Sequence, residues 1–374
     1  MSADGNKIVA TVQGGLIYTS TNAGNTWTSS SSPSTNWSNL ASSADGNRLA
    51  ALANAGTGLG GESACWLFTS SDGGATWAQC SLTEAVYSSL AMSADGNRLV
   101  LLPGSTYMGG PLDYTTNFGD SWSSLPGPFR AFSITSAADG WHLFVSCLVA
   151  APSFGELHAS TNFGVTWNLT GETGMDASYW SLTSSADGRT LLGNSYSTWQ
   201  LHVSTNYGVM RTVANLPILG GYGGWSPACS ADGSIIVAAS NKGHWPPPIV
   251  NLFYFSTNSG ITWVEGTPPS TNGLLITVAL SADGQRMAAI LNGGGIYTRQ
   301  TTPSPKLNIT PTASGLLISW VVPSMPFVLQ ESADLTTAIW IDVTTAPKLN
   351  FTNLHHEVSM RVSSANRFYR LKSL

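Results

Sequence analysis

Acid–base and nucleophilic chemistry need carboxylates, histidines or activated thiols, and this 374-residue chain has few: 20 Asp+Glu, 6 His and 4 Cys. Seven aspartates share one setting. Asp4, Asp45, Asp95, Asp187, Asp232 and Asp283 lie in Ser-Ala-Asp-Gly, and Asp139 lies in Ala-Ala-Asp-Gly. Asp-Gly between two apolar runs signals a hairpin, because glycine accepts the positive φ of a tight turn. These seven are therefore turn residues. Asp72 belongs to a second pattern, Ser/Thr-x-Asn/Asp-x-Gly-x-Thr/Ser-Trp, here called the box. It runs over Ser20–Trp27, Ser70–Trp77, Thr115–Trp122, Ser160–Trp167 and Ser256–Trp263, with a degraded copy at Ser204–Arg211. The carboxylates left in the repeat region are Glu62, Glu84, Asp113, Asp120, Glu156, Glu172, Asp176 and Glu265. Asp120 lies inside a box and is set aside. A hydrolase with paired carboxylates would draw its acid and base from the loop members, with Glu62, Glu172 and Asp176 as the candidates. The plain alternative is that they are solvated loop charges.

Each Asp-Gly turn must join two strands, and each box must end one strand and start the next. In the second unit these are Trp37–Ser42, Arg48–Leu52, Trp66–Thr69 and Trp77–Ser81. Four antiparallel strands in a repeat of 40 to 50 residues is the unit of a propeller-type ring. Inside the box, the Asn or Asp closes the turn by accepting backbone N–H groups, and the Trp anchors it by burying a ring.

The box resembles the Asp-box (BNR) repeat of sialidase-like β-propellers. Together with the seven Asp-Gly turns, the resemblance implies an all-β, seven-bladed propeller over residues 1–302. The first unit lacks its first strand and the last lacks its fourth, as a truncated gene would leave them. Sialidases clamp the substrate carboxylate with three arginines backed by a Tyr/Glu pair. Here Arg48, Arg98, Arg189 and Arg286 share one register just after the Asp-Gly turn. Only Arg130, Arg211 and Arg299 remain in the repeat region, and the family's N-terminal arginine motif is missing. The resemblance thus carries the fold and not the sialidase activity.

The repeats occupy one face of such a ring. The connections of varying length lie on the other, where binding residues concentrate. Aromatics collect there. Trp37, Tyr87, Tyr179, Trp180 and Trp225 start first strands, and Tyr107, Trp199 and Trp245 lie in loops beside Arg130 and His244. These ten are the candidate ligand-binding residues, suited to stacking on sugar rings, with inter-sheet packing as the competing use. No Cys/His spacing resembles a metal site, and no cofactor is implied. Cys65 and Cys80 flank one box, and both a disulfide and two thiols stay open.

Thr301-Thr-Pro-Ser-Pro reads as a linker. Residues 306–374 then alternate short strands and turns, as a small β-sandwich similar to fibronectin-III or immunoglobulin-like modules of secreted bacterial proteins would. Charged residues are only 9% of the chain, and the net charge is -5. That leaves no footprint for nucleic acid. No apolar run is long enough to span a membrane. The expected protein is a monomeric, extracytoplasmic scaffold that binds a glycan or a protein, with a glycosidase-type hydrolase as the alternative. No signal peptide stands at the start, but a chain that begins inside a repeat cannot be used to exclude one.

Overall fold

In a computed structural model, the structure describes residues 1–54, 65–82, 87–104, 110–125, 130–148, 155–171, 178–195, 197–209, 211–216, 224–242, 250–266, 274–292, 295–300, 305–323, 327–334, 339–361 and 367–373. The Asp-Gly turns are closed by their own side chains. The Asp45 carboxylate accepts from the Ser43 hydroxyl at 2.6 Å and from the Asn47 N–H at 2.9 Å. Ser43 Oγ in turn accepts the Arg48 N–H at 3.0 Å. The same bonds recur in the turns of Asp4, Asp95, Asp187, Asp232 and Asp283. At Ala137 the serine is absent, and Asp139 instead accepts the Trp141 and His142 N–H groups.

The boxes also close as expected. Ser70 Oγ accepts the Gly74 N–H, and Asp72 accepts both the N–H and the hydroxyl of Thr76. Asn22, Asn117, Asn162 and Asn258 do the same work with a neutral amide. Trp27, Trp77 and Trp263 donate their indole N–H to the box glycine carbonyl. Every box also donates a backbone N–H to its own sheet's Asp-Gly turn, as Gly73 does to Asn47 and Phe163 does to Trp141. Turns and boxes therefore lie at the same end of the sheets.

Seven antiparallel sheets follow one another along residues 8–300. The first holds Ile8–Thr11, Ile17–Ser20 and Thr28–Ser29. The second holds Asn36–Ser42, Leu49–Asn54, Cys65–Ser70 and Ala78–Gln79. The third holds Tyr87–Met92, Leu99–Pro103, Leu112–Thr115 and Ser123–Leu125. Arg130–Ser136, Leu143–Leu148, Gly155–Ser160 and Asn168–Leu169 form the fourth. Tyr179–Ser184, Leu191–Ser195, Leu201–Ser204 and Thr212–Val213 form the fifth. Trp225–Cys229, Ile236–Lys242, Val250–Ser256 and Val264–Glu265 form the sixth, and Leu274–Leu280, Arg286–Asn292 and Gly295–Gln300 the seventh. The strands of each sheet pair in chain order, and among the described residues there is no helix. The apolar core lies between successive sheets; Leu102 and Leu112 of the third, for instance, meet Val145 and Cys147 of the fourth.

The ring closes at the turn end. Ala3 N–H bonds to Ala44 C=O, Ala44 to Ala94, and so on through Ala138, Ala186, Ala231 and Ala282, whose N–H returns to Ala3 C=O at 2.7 Å. Side chains reinforce it. Lys7 reaches Asn47, Arg48 reaches Asn97, Arg98 covers the Trp141 ring at 4.6 Å, and Arg286 of the last sheet reaches Asn6 of the first. Among the described residues that junction has no inner strand on one side and no outer strand on the other. It holds a cavity of about 180 Å³ lined by Ile8, Ala23, Met287 and Thr298.

Residues 308–373 add two sheets that share a core of Ile318, Trp320, Leu329 and Val358. Val321, Val322, Leu349 and Leu354 from this part pack on the alanine ring and cover its turn end. Cys65 and Cys80 form no disulfide. The Phe68↔Gln79 pairing sets Cys80 beside Leu67, diagonal to Cys65. Diagonal neighbours stand about 7–8 Å apart, beyond disulfide reach.

Arg286→Ala is expected to lower the unfolding free energy by about 1.5–3 kcal/mol, the range for a hydrogen bond to a charged group. Hydrogen exchange should quicken first at residues 6–20 and 286–299; a uniform loss of protection would contradict a weak junction. A second outcome concerns Asp72, whose carboxyl the Thr76 hydroxyl and N–H hold down at about 2. A carboxyl lowered in the folded state adds stability above its unfolded value of about 3.9 and loses it as pH falls toward 2. Asp72→Asn, copying the other boxes, should be near neutral at pH 7 and gain on the parent in denaturant melts between pH 4 and 2.

Candidate functional site

In the second to seventh sheets the first strand lies innermost, and neighbouring inner strands are stitched by side chains. Asn39 Nδ2 donates to Ser88 C=O at 3.0 Å, Ser184 Oγ to Ser136 C=O at 2.9 Å, and Ser226 Oγ to Thr277 Oγ1 at 3.1 Å. The wall of the axis is thus hydroxyl and amide, with little charge. Each inner strand begins at the loop end and finishes at its Asp-Gly turn.

Four of the expected ligand residues pack inside the sheets. Trp37, Tyr87, Tyr179 and Trp225 are all buried, Tyr179 at 1% exposure. Their rings meet the third strand of their own sheets. Trp37 lies edge-on to Phe68 at 5.4 Å, Trp225 to Tyr254 at 5.9 Å, and Tyr179 to His202 at 5.6 Å. Tyr87 donates its hydroxyl to Asp113, and that bond, after burial itself, raises its phenol. Asp113 also accepts from Ser124, so this carboxylate is engaged within the sheet. The degraded box has a compensating role: Arg211 donates to the Tyr179 hydroxyl and lies 5.5 Å from its ring centre.

Trp180 is different. It is 48% exposed, and its ring lies 6.0 Å from Phe132 of the preceding sheet, at an interplanar angle of 59°. Both residues are the extra residue of a β-bulge, between Tyr179 and Ser181 and between Ala131 and Ser133. A bulge turns a side chain out of the alternating pattern, and here it moves two rings off the packed face. Phe132 went unnoticed in the sequence. Its signal was the spacing: it stands seven residues before Asp139, as Trp180 does before Asp187. Trp199 is half-buried in a turn with φ of +57°, its N–H bonded to Ser195 C=O. Glu62, Tyr107, Glu172, Asp176, His244 and Trp245 lie outside the described residues, as does the side chain of Arg130.

One further cluster stands at the loop end of the fourth sheet. The Glu156 carboxylate bonds the His158 imidazole at 2.7 Å, and Cys147 lies opposite Glu156 on the paired strand. Burial, and then the Glu156 charge, push the Cys147 thiol up to about 12.

No family model and no curated protein matches the chain. Solved structures do. A GH74 xyloglucanase from Xanthomonas campestris aligns at a TM-score of 0.58 and 15% identity over 84% of this chain, which spans only 56% of that protein's length. The Cps50 (Swd1) β-propeller domain of Myceliophteria thermophila aligns at 0.55 and 14% over 81% of this chain and 96% of its own. YCF48 bound to D1 peptide aligns at 0.54 and 13% over 81% and 90%. Likeness at this identity speaks for the fold alone: antiparallel sheets set around an axis, a β-propeller.

Burial separates the two kinds of aromatic. Trp37→Ala should cost about 3–5 kcal/mol, the range for truncating a core aromatic. Trp180→Ala should cost under about 1 kcal/mol in the same denaturant melts. Equal losses would mean that Trp180 belongs to the core.

Proposed function

We propose that this chain is a seven-bladed propeller, one blade for each sheet of residues 1–302, and that it serves as an extracytoplasmic recognition scaffold. In this reading it is a monomer that binds a glycan or a protein at the loop end of its axis, and residues 306–374 form a separate β-sandwich module. The observation that carries the reading is the Trp180–Phe132 pair: two rings lifted by bulges beside a wall of hydroxyls and amides. A sugar ring stacks its C–H face on such a surface and bonds its rim to hydroxyls and amides. The reading also counts Trp199 and, outside the described residues, the expected Tyr107, Arg130 side chain, His244 and Trp245 among the ligand contacts.

The turn end supports the same assignment by elimination. Its aspartates close turns, its arginines link sheets, and Val322 and Leu354 cover it. The low charge and the neutral polar surface support a location outside the cytoplasm.

A glycan array followed by calorimetry tests the reading. For any ligand found, Trp180→Ala should weaken binding by about tenfold, near the lower part of the 1–3 kcal/mol that stacking on an aromatic contributes. Asp72→Asn, at the turn end, should leave it unchanged. Hydrolysis of a chromogenic glycoside by the parent, lost in Glu62→Gln or Glu172→Gln, would replace the scaffold with a glycosidase.

A further inference from the structure

The fourth sheet breaks a rule that four other sheets keep. Trp37, Tyr87, Tyr179 and Trp225 each open an inner strand and pack a ring on the third-strand residue that stands two before the box. Those partners are Phe68, Asp113, His202 and Tyr254. The fourth sheet has Ala131 at the aromatic's place. It pairs with Cys147 just before the bulge, as Trp37 pairs with Ala53 and Tyr179 with Ser195. The residue two before the box is His158. Beside Ala131 stand Cys147, Glu156 and His158.

These three face one another across a single hairpin. Cys147 pairs with Glu156 and Val145 with His158, so both third-strand side chains lie on the same face of the sheet as Cys147. Their ligand atoms all lie within 4.8 Å of one another. Cys147 is fully buried and His158 nearly so, at the border with Leu102 and Leu112 of the third sheet. The Cys147 thiol donates to the Glu156 carbonyl at 3.7 Å.

We propose that Cys147, Glu156 and His158 bind one zinc-class divalent transition-metal ion, with a fourth position left for water. The donor set selects the metal. Thiolate and imidazole favour zinc and its neighbours over calcium and magnesium, which prefer all-oxygen sites. Three protein ligands and one water is the form of an open zinc site. On binding, the metal takes the place of the proton between Glu156 and His158, and that proton and the Cys147 thiol proton both pass to solvent. Ala131 acts as the spacing residue, since only a small side chain there leaves the volume open. The assignment goes beyond the recognition surface and does not depend on it.

The test is titration of the metal-free full chain with Co²⁺, followed by back-titration with Zn²⁺. A thiolate-to-cobalt charge-transfer band should saturate at one ion per chain, and zinc should erase it. Zinc should also raise the melting temperature of the parent, because an ion bound only by the folded state stabilises it. Cys147→Ser should abolish the band, and His158→Gln should weaken cobalt binding by about tenfold or more. Ala131→Phe should restore the ring of the other sheets, keep the all-β circular dichroism and exclude the metal. Cys80→Ser and Cys229→Ser should keep the band. If the parent shows no band and no zinc-dependent melting shift, the proposal fails whether or not any variant folds. A band that persists in Cys147→Ser, or a folded Ala131→Phe that binds cobalt as the parent does, also overturns it.

Discussion

A ring of peptide hydrogen bonds holds this molecule together. Seven alanines, one per Asp-Gly turn, pass N–H to C=O around the axis and return to the start. Each turn must present its alanine N–H and C=O sideways at the same height. The aspartate does this by clamping the serine hydroxyl before it and the N–H two residues after it. Alanine suits the place because its methyl is small enough for seven to crowd one axis. Those methyls make an apolar floor, which Val322 and Leu354 cover. Closure therefore comes without the ends sharing a sheet. The first and last sheets keep three strands each, and the bond from Ala282 to Ala3 and the reach of Arg286 to Asn6 carry the junction.

That constraint divides the two ends of the axis. At the turn end the aspartates are engaged in closing turns, and Asp45, Asp72, Asp95 and Asp232 are lowered by the hydrogen bonds they accept. Asp45 and Asp95 are opposed by burial, but the hydrogen bonds from serine and asparagine prevail. Groups held so firmly as anions and acceptors are poor acids or bases at neutral pH. The loop end carries no such repeat, and its side chains are left to vary from sheet to sheet.

The variation follows a single structural theme. Four of the six inner strands carry near their start a side-chain ring that meets the third strand of its own sheet, and a bulge follows in three of them. The theme admits exchange: tryptophan on phenylalanine, tyrosine on aspartate, tyrosine on histidine. In the fifth sheet the Trp of the box is replaced by Arg211, whose guanidinium returns to the Tyr179 ring and hydroxyl. In the fourth an alanine stands at that place, and Cys147, Glu156 and His158 meet beside it.

The sequence by itself determined the turns, the boxes and the order of strands, because each rests on contacts within about six residues. Ser43, Asp45 and Arg48, or Ser70, Asp72 and Thr76, meet wherever those residue types stand at that spacing. Only the tertiary structure decided which aromatics face inward. Tyr179 and Trp180 are neighbours in the chain, yet a bulge buries one and exposes the other. Register was hidden for the same reason. Cys65 stands five residues before one box and Cys80 three after it, and the pairing of Phe68 with Gln79 sets them on a diagonal. The closure from Ala282 to Ala3 depends on sheets far apart in the chain. Local hydrogen bonding fixes a turn from its own residues, whereas packing, register and closure arise from partners that no short stretch of sequence contains.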